Sequence, residues 1–314
     1  MADIVETGHP WPIIKGWGAP QAFARYEAVR ARLPQTSFDA APRRIADLTA
    51  VMEAFDAFVL DAFGVLNIGE TAIPGAVERV AQMRQAGRQV IVLTNGASHP
   101  RTAALAKYHR LGFDFTAEEV IASRDIAAAA LSRWPRSHVW AAITAAGAGF
   151  DDIPVDLRPL DRAPDLLRTA DGFVFLGSEG WTPDRQQALV AALRDRPRPF
   201  IIANPDIVAP REAGLSLEPG HFAHAIAEAL DLEPLFFGKP FGNAFDAVRQ
   251  RLRPGTRPER VAMVGDTLHT DILGGRAAGF GTVLVADHGL FAGHDPGGFI
   301  AASGIVPDYI AATT

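Results

Sequence analysis

The sequence predicts an α/β protein with a Rossmann-like, doubly wound parallel-sheet core and a second α/β unit inserted into it. Three observations carry that expectation. Short apolar runs alternate with segments of helical spacing. Four of those runs end in polar residues with chemistry to offer: Ala57–Leu60 before Asp61, Gln89–Leu93 before Thr94, Leu235–Phe237 before Lys239, and Val261–Val264 before Asp266. The second and third of these are separated by a long stretch, 98–235, that has its own alternation of strands and helices.

Residues 1–50 form an extension expected to pack on the core. Pro10, Pro12, Gly16, Gly18 and Pro20 break its start into turns. Gln21–Leu33 has helical spacing through Phe23, Tyr26, Val29 and Leu33, and Pro42–Phe55 repeats that pattern. Trp11 and Trp17 are expected to pack onto the core. Residues 51–97 and 236–314 make up the core itself. Pro74 and Gly75 open a helix over Ala76–Ala86, and Gly87 closes it. The strand–helix–strand order implies a parallel sheet with a right-handed crossover. Within the insertion, Val139–Thr144, Gly172–Leu176 and Phe200–Ala203 read as strands. Thr182 reads as an N-cap with Pro183 at the first helical position. An insertion of this size can bury a core of its own.

Composition narrows the function. The chain has 314 residues, 48% of them hydrophobic and 21% charged, which is an ordinary globular balance. Its net charge is −6 with no basic run, which argues against nucleic acid as a partner. There is no Cys, so disulfides, thiolate metal sites and Cys nucleophiles are excluded. No run approaches the roughly 18 apolar residues of a membrane span. Asp3, Glu6 and His9 do not make a basic-then-apolar signal sequence, so the expected compartment is the cytoplasm.

An Asp at the carboxyl end of a buried parallel strand stands in the crevice where open α/β sheets bind ligands. Asp61 therefore needs a cation, hydrogen-bond donors or a substrate beside it, unless it only caps the following turn. Thr94-Asn95-Gly96 also reads as a turn, Asp271 as a helix cap, and Lys239 as a solvated lysine. A phosphate-binding Walker A loop at Gly238-Lys239 fails, because Glu233 stands at the first glycine position and Pro240 replaces the Ser or Thr.

Taken together and in order, the acid, the hydroxyl, the Lys and the acid pair resemble the four motifs of the haloacid dehalogenase superfamily. The likeness runs from about Ala54 to the C-terminus. It is greatest to the class with a large α/β cap, which includes nucleotide, 4-nitrophenyl-phosphate and pyridoxal-phosphate phosphatases. The resemblance implies Asp61 as nucleophile toward a small phosphorylated substrate. It implies Mg²⁺ held by Asp61, Asp266 and the backbone carbonyl of Phe63, with Asp271 supporting the ion. Thr94 and Lys239 would bind the phosphoryl group and complete the catalytic set, with Ala62, Phe63, Asn95 and Gly96 around the substrate. The cap loop 203–206 is similar to the family's specificity loop, so Asn204 and Asp206 would face the leaving group unless they serve only the turn. A homodimer through the cap is also implied.

One position departs from the pattern. Phe63 stands where these phosphatases carry a second Asp, the general acid and base. Proton transfer of that kind is typically worth about 10²–10⁴-fold, and Phe cannot supply it. His99, His221, His224 and His269 are the candidate substitutes. The departure leaves two rivals to a slow phosphatase. One is hydrolysis of another bond, as in a phosphonate or a carbon–halogen compound. The other is a phosphate-binding regulatory protein with little turnover.

Overall fold

The computed structural model describes residues 11–38, 41–211 and 214–314. The turn expected at Pro10 lies outside them, as do Asp3, Glu6 and His9. Two parallel sheets organise the chain. The first has seven strands in the order Arg43–Ile45, Tyr309–Ala311, Gly281–Val285, Val261–Gly265, Ala57–Leu60, Gln89–Thr94 and Val120–Ala122. The second has five, in the order Leu235–Phe236, Phe200–Ile202, Gly172–Phe175, Val139–Ile143 and Asp156–Pro159. The central strands of both are buried on every residue, as sheets covered on both faces require. Each fully buried Val, Leu, Ile or Phe contributes about 1.5–3 kcal/mol, so the strand ends are rigid platforms.

The expected α/β architecture is present, with differences in detail. The strand Val120–Ala122 pairs with Gln89–Thr94 and belongs to the first sheet, although it falls within the stretch 98–235. Leu235–Phe236 pairs with Phe200–Ile202 and closes the second sheet, so the chain returns to the core only after it. Short apolar runs of this kind announce a strand but not which sheet it joins. Pro42–Phe55 is not a helix. Arg43–Ile45 is an edge strand beside Tyr309–Ala311, and a short 3₁₀ turn follows at Leu48–Val51, capped by Asp47, whose carboxylate accepts from Thr49 N at 2.8 Å. Thr182 does cap its helix: its hydroxyl accepts from Arg185 N at 3.3 Å, with Pro183 next in line.

The N-terminal segment touches both units. Its helix, Ala19–Ala28, starts at Gly18, whose N–H donates to the Gln21 side chain at 2.9 Å. Tyr26 accepts a hydrogen bond from Ile207 N of the inserted unit at 3.1 Å. The next residue, Glu27, pairs with His269 of the core at 2.5 Å. Trp17 stands edge-on to His221, and Trp11 lies 4.0 Å from the Arg211 guanidinium. Both tryptophans therefore contact the inserted unit, and Trp17 packs against an apolar cluster that spans both units. No helix among the described residues is long and apolar enough to cross a membrane.

Candidate active site

The site lies where the carboxyl edges of the two sheets meet. Asp61 follows Ala57–Leu60, and its own N–H is held by Val264 O at 2.9 Å. Lys239 follows the last strand of the second sheet, and its side chain is buried. The Lys239 ammonium lies 2.6 Å from Asp61 Oδ1 and 2.7 Å from Asp271 Oδ1. Asp266, at the end of Val261–Gly265, completes an acidic group in which ligand oxygens of Asp61, Asp266 and Asp271 lie within 4.8 Å of one another. Buried charges on this scale survive only when paired.

The surroundings tune these groups. Burial pushes the Asp61 carboxyl up to about 6, with Lys239 opposing the rise and Asp271 adding to it. Burial, Asp271 and Asp61 together raise Asp266 well above the ordinary carboxylate range, although Leu290 N and the Thr267 hydroxyl donate to it at 2.7 and 3.0 Å. Burial favours a neutral Lys239 amine, but Asp271, Asp61 and Asp206 outweigh it and hold the ammonium firmly charged. Asp271 lies within a single π-helical turn, Leu268–Ile272, and accepts from the N–H of Thr267, the residue that precedes the turn, at 3.1 Å. It is thus tied back to the start of its own turn while standing in the acidic group.

Asp266 is gripped in a way the sequence did not announce. Gly64 has φ +76°, and a Cβ there would lie 2.6 Å from the Asp266 side chain. Gly289 has φ +73° and faces the same carboxylate just as closely, beside the donor Leu290. Larger residues would suffer both the left-handed backbone and the overlap.

The other expected residues gather around this centre. Thr94 is buried at the tip of its strand, and its hydroxyl oxygen accepts from Gly96 N at 3.1 Å. Asn95 ties the two sheets together. Its Oδ1 accepts from Lys239 N at 2.8 Å, while its Nδ2 donates to Lys239 O at 2.9 Å and to Asp206 Oδ1 at 2.8 Å. Asn204 also serves its own turn, accepting from Asp206 N at 3.0 Å and donating to Glu218 at 3.1 Å. Ala62 turns the chain after Asp61, its carbonyl accepting from Leu66 N and Asn67 N. Hydrogen bonds on either side of Phe63 run from Gly64 N to Asn67 O and from Asn67 N to Ala62 O. Among the described residues none of these backbone bonds ends on the Phe63 carbonyl.

The Phe63 ring is flanked by two cations, Lys107 Nζ at 4.7 Å from its centroid and Arg211 at 5.4 Å. Arg211, in the hairpin formed by Val208–Arg211 and Gly214–Leu217, also pairs with Glu218 at 3.0 Å. The sequence reading missed Arg211 and Glu218. Their only signal was charge in an otherwise apolar hairpin. Three of the four candidate histidines are occupied elsewhere. His269 stacks on Tyr26 at 5.0 Å, His224 on Phe236 at 4.7 Å, and His221 packs against Trp17, while His99 is exposed. Burial lowers His269 and His221 to about 4 and His224 to about 3.

This fold and site define a hydrolase class, and the comparisons agree. A profile of haloacid dehalogenase-like hydrolases matches residues 58–148, and a HAD-hydrolase-like profile matches 236–312. The chain is 30% identical over 282 residues to the glycerol-3-phosphate phosphatase of Gallus gallus, covering 83% of this chain and 90% of that one. The chain belongs to the haloacid dehalogenase-like hydrolases, in the class with the large α/β cap. Among solved structures it resembles a possible sugar phosphatase from Cytophaga hutchinsonii, with a TM-score of 0.75 at 27% identity over 86% of this chain and 98% of that one. It also resembles the glycerol phosphate phosphatase of Mycobacterium tuberculosis solved in complex with magnesium, with a TM-score of 0.65 at 26% identity, covering 83% and 75% of the two chains.

Proposed function

We propose that the protein is a Mg²⁺-dependent phosphatase of small organophosphates that works through an aspartyl-phosphate on Asp61. The observation that carries this reading is the Lys239 ammonium held 2.6 Å from Asp61, in a buried pocket shared with Asp266 and Asp271. Asp61 attacks phosphorus, and its carboxylate is held in place by Lys239. The lysine charge and the Thr94 hydroxyl stabilise the phosphoryl oxygens. Asn95 fixes the lysine backbone, so the ammonium cannot drift from the nucleophile.

The donors fit a hard divalent cation. Asp61 and Asp266 supply carboxylate oxygens, the Phe63 carbonyl takes no backbone hydrogen bond among the described residues, and the crowded acids are raised by one another. When bound, Mg²⁺ would offset the charge of the acids and of the phosphate. The inserted unit acts as a cap that excludes bulk water and reads the leaving group through Asn204 and Asp206. Cytoplasmic residence and a cap-mediated dimer complete the reading.

The test is release of 4-nitrophenol from 4-nitrophenyl phosphate with Mg²⁺, followed from the first milliseconds. The reading expects a burst of about one equivalent or rapid steady turnover, both lost in Asp61→Asn. Magnesium and phosphate binding without either would instead mark a regulatory binding protein.

A further inference from the structure

Phe63 leaves the first motif without its second carboxyl, and the nearby core acids Asp266 and Asp271 belong to the acidic group itself, yet another carboxyl stands across the gap on the cap. Asp206 follows the strand Phe200–Ile202, whose carboxyl end faces the core. Its Oδ1 accepts from Asn95 Nδ2 at 2.8 Å, and the same nitrogen donates at 2.9 Å to the carbonyl of Lys239. A single amide thus links this acid to the lysine that pairs with Asp61. Asp206 Oδ2 takes no hydrogen bond among the described residues, and the residue is only partly buried. The loop is held firmly: Asp206 N donates to Asn204, Asn204 donates to Glu218, and Glu218 N donates to Ile207 O at 3.0 Å.

We propose, on the reading that Asp61 is the nucleophile, that Asp206 is the proton donor to the leaving oxygen and then the base for the attacking water. In the first step an Asp61 oxygen bonds to phosphorus and the bond from phosphorus to the leaving oxygen breaks. The Asp206 carboxyl gives its proton to that oxygen, and the alcohol departs. In the second step a water oxygen bonds to phosphorus and the bond to Asp61 breaks, restoring its carboxylate. The water proton passes to Asp206, which is again a carboxylic acid.

The surroundings suit both steps. Burial raises Asp206 to about 8, Asp61 and Asp271 add to the rise, and Lys239 and Asn95 oppose it. The Tyr26 hydroxyl also feels its charge. The acid is therefore protonated at neutral pH when substrate arrives. His221, His224 and His269 are turned into other contacts, and His99 is exposed. Tyr108, which senses the Asp61 charge, is held too far above the ordinary phenol range by burial to give up a proton.

The experiment compares the parent with Asp206→Asn, Asp206→Glu, Tyr108→Phe and Asp61→Asn in Mg²⁺. Phenyl phosphate and 4-nitrophenyl phosphate are the probes, with rapid quench and trapping of phosphoenzyme. Phenol needs a proton to leave and 4-nitrophenol needs little. Asp206→Asn is expected to lower kcat on phenyl phosphate by about 10²-fold or more. On 4-nitrophenyl phosphate it should keep the burst and slow the steady state, with phosphoenzyme accumulating. Asp206→Glu should recover part of the loss, and Tyr108→Phe should stay within about twofold of the parent, on the same general acid–base reasoning. Equal losses on both probes through KM, with no trapped phosphoenzyme, would make Asp206 a binding residue and overturn the assignment. So would an Asp206→Asn protein as active as the parent while Asp61→Asn is dead. Full turnover in Asp61→Asn would instead remove the nucleophile and this inference with it.

Discussion

The two parallel sheets are built alike, but their carboxyl edges carry different cargo. The seven-stranded sheet ends in Asp61, Thr94 and Asp266, with Asp271 one turn further on. These residues are close-packed, and glycines at 64 and 289 leave Asp266 no slack. The five-stranded sheet ends in Asn204, Asp206 and Lys239, each on a loop after a short strand. One edge concentrates negative charge, and the other supplies the cation that makes it tolerable. On the proposed function, a single fold has thus divided nucleophile and metal site from lysine and leaving-group contacts. The dividing line runs between two sheets rather than between two loops of one.

The largest expected effect breaks the first edge. Asp61→Asn should lower turnover by about 10⁴-fold or more, measured as steady-state phosphate release; a loss under tenfold would refute the division. Chelation of divalent cations should bring turnover to background, with Mg²⁺ restoring it and raising the melting temperature, since a ligand that binds only the folded state stabilises it. Removing the cation from the second edge tests what it does for the first. Lys239→Met leaves Asp61 and Asp271 buried without their partner and should cost about 3–5 kcal/mol in urea denaturation.

The pH dependence sharpens the contrast. Asp206 has a folded pKa of about 8, above its unfolded value, so the unfolded chain loses that proton first as pH rises. Stability should fall between about pH 4 and 8 and then level off, by on the order of a few kcal/mol. Asp206→Asn should flatten that slope, and parallel curves for the two proteins in denaturant would contradict it. The smallest effect is Phe63→Asp, which returns a carboxyl to the core edge beside Lys107 and Arg211. It should raise turnover on phenyl phosphate several-fold, below the usual range of about 10²–10⁴-fold for acid–base help because Asp206 already supplies a proton on the proposed reading. An unchanged rate would put position 63 out of reach of the leaving oxygen.

The strand tips were legible because a buried run that ends in one polar residue is a physical statement about where that residue must stand. Asp61, Thr94, Lys239, Asp266 and Asp271 follow from such runs and from their order. Their convergence was an expectation from resemblance; sheet register brings Asp61, Thr94 and Asp266 to one edge, and the second sheet brings Lys239 against it. Asn95 as a bridge between sheets was not legible, since Asn-Gly is equally a turn signal. Arg211 and Glu218 meet through the register of their hairpin, and Arg211 reaches Phe63 only because that hairpin lies over the core. The strand Arg43–Ile45 was hidden by its own composition, because two exposed arginines and one Ile fit a helix as well as an edge strand.

The helix Ala19–Ala28 joins what a cap must separate. Tyr26 holds the cap through Ile207, and the adjacent Glu27 holds the core through His269. Any swing that admits a phosphate ester either carries this helix along with one partner or releases one grip. Each grip is worth about 0.5–1.5 kcal/mol, or more where charge is involved. On the proposed function, the entrance is latched by consecutive residues far upstream of Asp61. The ease of unlatching would then belong to the N-terminal segment as much as to the groups around Asp61.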